Sequence, residues 1–100
     1  MELRHLRYFV AVAEAGSLTV AARKLRTSQP SLSRQIRDLE DEVGAQLLTR
    51  RARGIELTPA GRAFLEHART VLSQVEGLKR QSKLLAGSLI LPSHASRWAF

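Results

Sequence analysis

Two short helical segments separated by only three residues constrain the fold more than any other feature of this sequence. In each segment the apolar residues recur at three- and four-residue steps, which predicts a helix with one buried face. These residues are Leu18, Ala21, Ala22 and Leu25 in the first segment, and Leu32, Ile36, Leu39 and Val43 in the second. Between the segments lies Arg26-Thr27-Ser28, where Ser28 is a good N-cap and Pro30 falls in the first turn of the next helix. The spacing predicts a helix-turn-helix unit at about residues 18–37.

Residues 3–15 predict another helix before this unit. Its apolar positions are Leu3, Leu6, Val10 and Ala13, with Phe9 beside them. Gly16 is expected to end this helix, and Ser17 to cap the one that follows. Tyr8 and Phe9 are expected to pack in the core, because aromatic residues make up only 5% of the chain and are not interleaved with basic ones.

After Gly44, residues 46–57 predict a two-stranded hairpin. Gln46-Leu47-Leu48-Thr49 forms a short apolar run, Arg50-Arg51-Ala52-Arg53-Gly54 reads as a loop, and Ile55-Glu56-Leu57 reads as the returning strand. Three arginines this close together repel one another unless an anion relieves the repulsion, and a DNA backbone or minor groove can do so. A solvated, charged turn is the alternative interpretation.

A fourth helix is predicted from about Pro59 to about Leu85, opened by Thr58 as N-cap and Pro59 at the first helical position. It carries a heptad seam at Phe64, Ala68, Val71, Val75, Leu78, Ser82 and Leu85, the pattern of a helix that packs along a partner helix. We expect dimer contacts from Phe64, Ala68, Val71, Leu72, Val75, Leu78 and Leu85. Gly87 is expected to end the helix.

The sequence therefore predicts a mainly α fold. It consists of a winged helix-turn-helix of three helices and a two-stranded wing at residues 1–58, followed by a long linker and dimerisation helix at residues 59–86. Residues 87–100 show no period and are expected to be a disordered tail.

The charge balance indicates a polyanionic partner. The chain has 16 Lys and Arg against 9 Asp and Glu, a formal net charge of +7, which suits nucleic acid or an anionic membrane surface. It has no cysteine and no run of about 18 apolar residues, so we expect a cytoplasmic protein that does not span a membrane.

The start of the third helix carries the residue types that read DNA. In a helix-turn-helix the second helix of the unit enters the major groove with its N-terminal end first. Gln can read adenine, Arg can read guanine, and Ser can contact base or phosphate. The candidates on this end and along the outer face are Ser28, Gln29, Pro30, Ser31, Ser33, Arg34 and Arg37.

Several linked stretches resemble the LysR-type transcriptional regulators of bacteria over residues 1 to about 86. They are Leu3-Arg4-His5-Leu6-Arg7-Tyr8-Phe9, Gly16-Ser17-Leu18-Thr19-Val20-Ala21-Ala22, Ser28-Gln29-Pro30-Ser31-Leu32-Ser33-Arg34-Gln35-Ile36, Leu39-Glu40, Gly44, Leu47-Leu48-Thr49-Arg50 and Leu57-Thr58-Pro59-Ala60-Gly61. Their order makes the resemblance far more specific than an isolated helix-turn-helix.

The resemblance implies sequence-specific binding of double-stranded DNA at an inverted repeat. It implies a homodimer through the linker helix, and a tetramer only with the full-length chain. It also implies groove contacts from Gln29, Pro30, Ser31, Ser33 and Arg34, backbone contacts from Thr19 and Ser28, and a minor-groove contact from the wing at Arg53. Contacts from Arg50 and Arg51 are expected from the arginine cluster of the hairpin itself. The family continues into an effector-binding domain, which we expect to be absent here together with its small-molecule ligand.

Other classes of function have little support. His5, His67 and His94 are far apart and lack further metal ligands, and no serine lies in a nucleophile motif. We therefore expect no enzyme, metal or cofactor. A coiled-coil adaptor would account for the fourth helix but not for the outer face of the third helix or the arginines of the hairpin. The acidic run Glu40-Asp41-Glu42 is expected to be either solvated or paired with nearby arginine.

Overall fold

The computed structural model describes residues 1–88. Its elements are α1 (Leu3–Ala15), α2 (Leu18–Leu25), α3 (Gln29–Val43), β1 (Leu48–Arg51), β2 (Gly54–Leu57) and α4 (Pro59–Ser88). The predicted class, a winged helix-turn-helix followed by a long helix, is confirmed. Helix α4 continues through Gly87, which was expected to end it. The remainder of the predicted tail, residues 89–100, lies outside the described residues.

The predicted capping residues lie at the ends of the first three helices. Ser17 Oγ accepts a hydrogen bond from Val20 N (3.2 Å), and Ser28 Oγ accepts one from Ser31 N (3.2 Å). Gly16 and Gly44 close α1 and α3 in the left-handed region, with φ of 68° and 80°. Helix α2 ends in the same conformation at Arg26, with φ of 57°. A side chain there is strained, because Cβ approaches its own carbonyl.

The core lies where α1, α2, α3 and the wing meet. Its largest fully buried side chains are Phe9, Val12, Leu32, Ile36, Leu39 and Leu47. The buried face of α1 is Leu6, Phe9 and Val12, so the predicted face was rotated: Leu3 is exposed, and Val10 is only half-buried. Val43 was also predicted to be core but is exposed, because it is the last residue of α3 and the chain turns away at Gly44.

The wing is an antiparallel hairpin with a two-residue turn. Leu48 pairs with Leu57 and Arg51 with Gly54, which leaves Ala52 and Arg53 as the turn. Arg50, Arg51 and Gly54 are therefore strand residues, and the predicted five-residue loop was too long. Ile55 N donates to Gly16 O (3.1 Å), which joins the wing to the turn between α1 and α2. Gly54 has a φ of 140°, and a Cβ there would collide with that carbonyl.

The beginning of α4 packs closely on the start of the wing. Thr58 Oγ1 accepts from Gly61 N (2.9 Å) and donates to Gln46 O (2.6 Å), while Thr58 N donates to Leu47 O (3.0 Å). A Cβ on Gly61 would collide with the Leu47 carbonyl. Glycine at this position thus allows helix and strand backbones to touch.

The first half of α4 lies on α1 of the same chain. The rings of Phe9 and Phe64 meet edge to face, with centroids 5.1 Å apart and planes at 84°. Ala68 is 2% exposed, and Arg69 Nη2 is 3.2 Å from Glu14 Oε2. Within the chain Ala68 is buried and Phe64 is half-buried, and the dimer contacts at these two residues stay predictions.

The second half of α4 extends away from the folded core. The radius of gyration is 17.9 Å, against about 13 Å for a compact chain of about 100 residues. Several large apolar side chains on this half are exposed: Val71, Leu78, Leu84 and Leu85. Within residues 1–88 no helix combines the length and apolar character that crossing a bilayer requires.

Two glycines of α4 give a matched test of the close approach between this helix and the Leu47 backbone. Gly61→Ala should lower the free energy of unfolding by about 1–3 kcal/mol, because the added methyl group is forced against the Leu47 backbone. Gly77→Ala should raise it by about 0.5–1 kcal/mol, since a Cβ there meets only the end of Arg80 at 3.9 Å. Denaturant unfolding followed by circular dichroism measures both. Equal effects of the two substitutions would contradict the proposed contact.

Candidate nucleic-acid interface

The outer face of α3 presents its polar residues to solvent near the N-terminal end. Pro30, Arg34 and Arg37 are exposed, and Gln29 and Ser31 are half-buried. Neither Arg34 nor Arg37 forms a salt bridge within residues 1–88. An uncompensated guanidinium on the leading turns of a helix is available to a base edge or a phosphate.

Ser28 and Ser31 already take part in local hydrogen bonds. Ser28 Oγ accepts from Ser31 N, as a cap should, while the residue remains exposed. Ser31 Oγ accepts from Gln35 Nε2 at 3.4 Å. Both hydroxyls retain their own proton for donation to an anion.

Ser33 is the one candidate on α3 that is buried. Its side chain is 4% exposed, and its Oγ accepts a hydrogen bond from Arg50 Nη2 (2.5 Å). Its position on the helix turns it towards the wing. In this conformation the Ser33 hydroxyl is bonded to the wing, and its direct DNA contact stays a prediction.

The three wing arginines have three different environments. Strand alternation places Arg50 on the face of β1 that carries buried Leu48, so its guanidinium reaches α3. Arg51 lies on the opposite face, where Arg51 Nη2 is 2.8 Å from Glu56 Oε1. Arg53 lies in the turn, is exposed, and has no salt bridge within the described part of the chain.

A polar cleft of about 350 Å³ brings the wing together with the beginnings of α2 and α3. It is lined by Ser17, Leu18, Thr19, Gln29 and the residues from Arg50 to Ile55. Five of the predicted contacts, Thr19, Gln29, Arg50, Arg51 and Arg53, therefore share one surface. Arg37 does not line this cleft but lies in a second groove with Glu40 and Asp41, which Arg50 also lines.

The acidic run divides between structural roles. Glu40 is half-buried, and its Oε2 accepts from Leu47 N (2.7 Å) and Leu48 N (3.0 Å). Glu42 pairs with the Met1 ammonium group at 2.6 Å. Of the two alternatives for this run, solvation or pairing with arginine, neither describes Glu40, which binds the backbone where β1 begins.

Glu56 takes part in the wing although no sequence motif indicates it. Its hydrogen bond with Arg51, then the charge of Arg51 and to a smaller extent that of Arg62, hold the pKa of the Glu56 carboxyl below its ordinary value of 4.5. The hairpin register could have revealed the pair, because Glu56 faces Thr49 and is thus diagonal to Arg51 across the strands.

Comparisons with known proteins agree with this geometry. The profile of bacterial regulatory helix-turn-helix proteins of the lysR family matches residues 3–62. The Hca operon transcriptional activator HcaR of Escherichia coli is 59% identical over 83 residues, which are 83% of this chain. The regulator BenM of Acinetobacter baylyi is 52% identical over 86 residues. The chain spans 28% of the length of each of these two relatives, and both are named as regulators of transcription.

Two similar solved structures contain DNA. The BenM DNA-binding domain bound to catB site 1 DNA has a TM-score of 0.82 and 52% identity, and the match covers 86% of this chain and 97% of that one. The CbnR DNA-binding domain in its DNA complex has a TM-score of 0.83 and 50% identity, with 86% and 99% covered.

The Arg51–Glu56 pair predicts a titration that a solvated wing would not show. Arg51→Gln should return the pKa of Glu56 towards 4.5, whereas Arg62→Gln should raise it less, since Arg62 is the weaker influence. Carboxyl-detected NMR over pH 2–7 measures the shift.

The same pair should make the fold less stable as the pH is lowered. Because folding lowers the pKa of Glu56, the pair stabilises the fold above the unfolded-state pKa, and this contribution disappears as the pH falls through the folded value. An unchanged Glu56 titration in Arg51→Gln would show that the two side chains do not interact in solution.

Proposed function

The chain belongs to the lysR family of bacterial regulatory helix-turn-helix proteins, and from this membership we propose that it binds double-stranded DNA in a sequence-specific way as a transcriptional regulator. Such a role places it on the chromosome in the bacterial cytoplasm. Its matched relatives are transcriptional regulators, and two similar domains were crystallised on DNA.

The main support for the proposal is a pair of exposed arginines without a salt bridge, one on α3 and one in the turn of the wing, which we call the wing tip. Arg34 on the outer face of α3 and Arg53 in the wing turn are both exposed and without a salt bridge in residues 1–88. A duplex offers a major groove for the first and the adjoining backbone or minor groove for the second. The other two wing arginines, Arg50 and Arg51, are bonded within the chain to Ser33 and Glu56, which leaves Arg53 as the wing arginine available to a partner.

The remaining candidates fit roles around those two residues. Gln29, Pro30 and Ser31 would approach base edges with Arg34. Thr19 and Ser28 stand at the starts of α2 and α3, where helix N-termini favour phosphate. Arg51 would contact phosphate only by exchanging its bond with Glu56. Arg37 shares its groove with Asp41, so it would contribute less.

A second copy of the chain is the proposed partner of α4. Val71, Leu78 and Leu85 recur every seven residues, and all three are exposed; Leu72 and Val75 are half-buried beside them. Burying one such Val or Leu against a partner helix is worth about 1.5–3 kcal/mol. A two-fold dimer would present two α3 helices to an inverted repeat whose half-sites are related by whole helical turns.

Arg34→Ala tests the proposed readout. A preferred duplex is first selected from a random pool with the wild-type chain, and binding is then measured by fluorescence anisotropy. We expect Arg34→Ala to cost about 1–3 kcal/mol on the selected duplex and less on a random duplex. Arg80→Ala removes the same charge from the far part of α4 and serves as the control. Equal losses on both duplexes would show that Arg34 only contacts the backbone, and a wild type without preference would contradict the proposed function.

Val75→Asp tests the dimer. A carboxylate in the proposed seam would be desolvated without a partner, so sedimentation should find a monomer with weaker binding to paired half-sites. Ser73→Asp adds the same charge at an exposed position two residues away and should leave the dimer intact. A wild-type chain that stays monomeric at high concentration, and binds single and paired half-sites equally, would overturn this part of the proposal.

A further inference from the structure

Helix α3 is fastened to the wing at two points on one of its faces. Ser33 and Glu40 are seven residues apart, which is two helical turns and about 10 Å along the axis. Each holds a different part of the segment that forms β1. The contacts join the helix that carries Arg34 to the strand that leads to Arg53.

The first point is the bond between Arg50 Nη2 and Ser33 Oγ. The hydroxyl is buried, and the guanidinium is a charge-assisted donor at 2.5 Å. Arg50 reaches inwards to α3, unlike Arg53 in the turn. This contact acts at the far end of β1, two residues before the turn begins.

The second point is the Glu40 carboxylate, which accepts hydrogen bonds from two successive backbone N–H groups at Leu47 (2.7 Å) and Leu48 (3.0 Å). Leu47 comes before the β1–β2 ladder, so its N–H group has no strand partner there. Gln46 Nε2 also donates to Leu48 O (2.9 Å). The beginning of β1 is thereby fixed to the C-terminal part of α3.

We propose that Ser33 and Glu40 are positioning residues that set the separation between α3 and the wing tip, so that Arg34 and Arg53 meet adjoining grooves of one duplex together. Arg50 is the wing's half of the Ser33 contact and acts through it. This inference rests on the proposed function. It states that the strength of the Arg53 contact with DNA depends on the hydrogen bonds of Ser33 and Glu40 within the protein.

A double-mutant cycle measures this coupling. Wild type, Ser33→Ala, Arg53→Ala and the double variant are titrated with the selected duplex. Arg53→Ala should weaken wild-type binding by about 5–150-fold, the range for a groove-reading arginine. In the Ser33→Ala background the same substitution should cost no more than about threefold, because a displaced wing no longer delivers Arg53. Ser73→Ala, an exposed serine of α4, is the matched background and should leave the full effect of Arg53→Ala.

Substitutions at Glu40 give a second test, in which one variant should lose the coupling and a conservative one should keep it. Glu40→Gln keeps an oxygen acceptor for the Leu47 and Leu48 amides and should preserve the coupling, whereas Glu40→Ala should reduce it. Asp41→Ala is the control for charge, because it removes a neighbouring carboxylate that is exposed. Hydrogen exchange of the Leu47 and Leu48 amides in the DNA-free chain should accelerate in Glu40→Ala and stay slow in Glu40→Gln.

The outcomes separate the two proposals. A wild type that prefers no duplex ends the proposed function and this inference with it. A wild type that binds its selected duplex, while the losses from Ser33→Ala and Arg53→Ala simply multiply, overturns the positioning roles and leaves the function standing. If Ser33→Ala loses its fold, as circular dichroism would show, the cycle is run with Arg50→Met, which removes the same bond from the exposed side. Independent losses there also overturn the inference.

Discussion

The burial of Phe9 joins the two parts of this molecule. The side chain has no exposed surface, lies in one cluster with Leu32 and Ile36 of α3, and meets the ring of Phe64 from α4 edge to face. The helix that presents polar residues to solvent and the helix that leaves the domain are thus held by the same apolar contact. Because interiors are close-packed, a displacement on one side is transmitted to the other.

The helices could be predicted from the sequence because their ends depend on local chemistry. Ser17, Ser28 and Thr58 act through hydrogen bonds that span three residues, and Gly16 and Gly44 act through their own backbone angles. Local rules also predicted the hairpin. They failed where a tertiary contact determines whether a side chain is buried. Helical period alone could not distinguish Phe64, which packs on its own α1, from Leu78, which is exposed, since both satisfy the same heptad.

The candidate site divides in a similar way. The sequence predicted the outer face of α3 and the cluster of wing arginines. It could not predict that Ser33 is buried against Arg50, that Arg51 is paired with Glu56, or that Glu40 holds the start of β1. These contacts depend on how the hairpin lies against α3, which no spacing along the chain records. Of three similar arginines only Arg53 remains without an internal partner in residues 1–88, so the fold selects among residues that the sequence makes equivalent.

Because α4 is unbroken, the angular orientation of its far half is fixed relative to the folded core. The helix packs on the domain core at Phe64 and Ala68 and runs without interruption to the exposed apolar residues from Val71 onwards. Each residue of helix turns the following side chains by about 100°. A copy of the chain seated on the far half would therefore inherit its angular orientation from the way the near half packs on α1. Inserting one residue between the two halves would turn the far half by about 100° relative to the core, whereas inserting seven residues, about two turns, would nearly restore the angle.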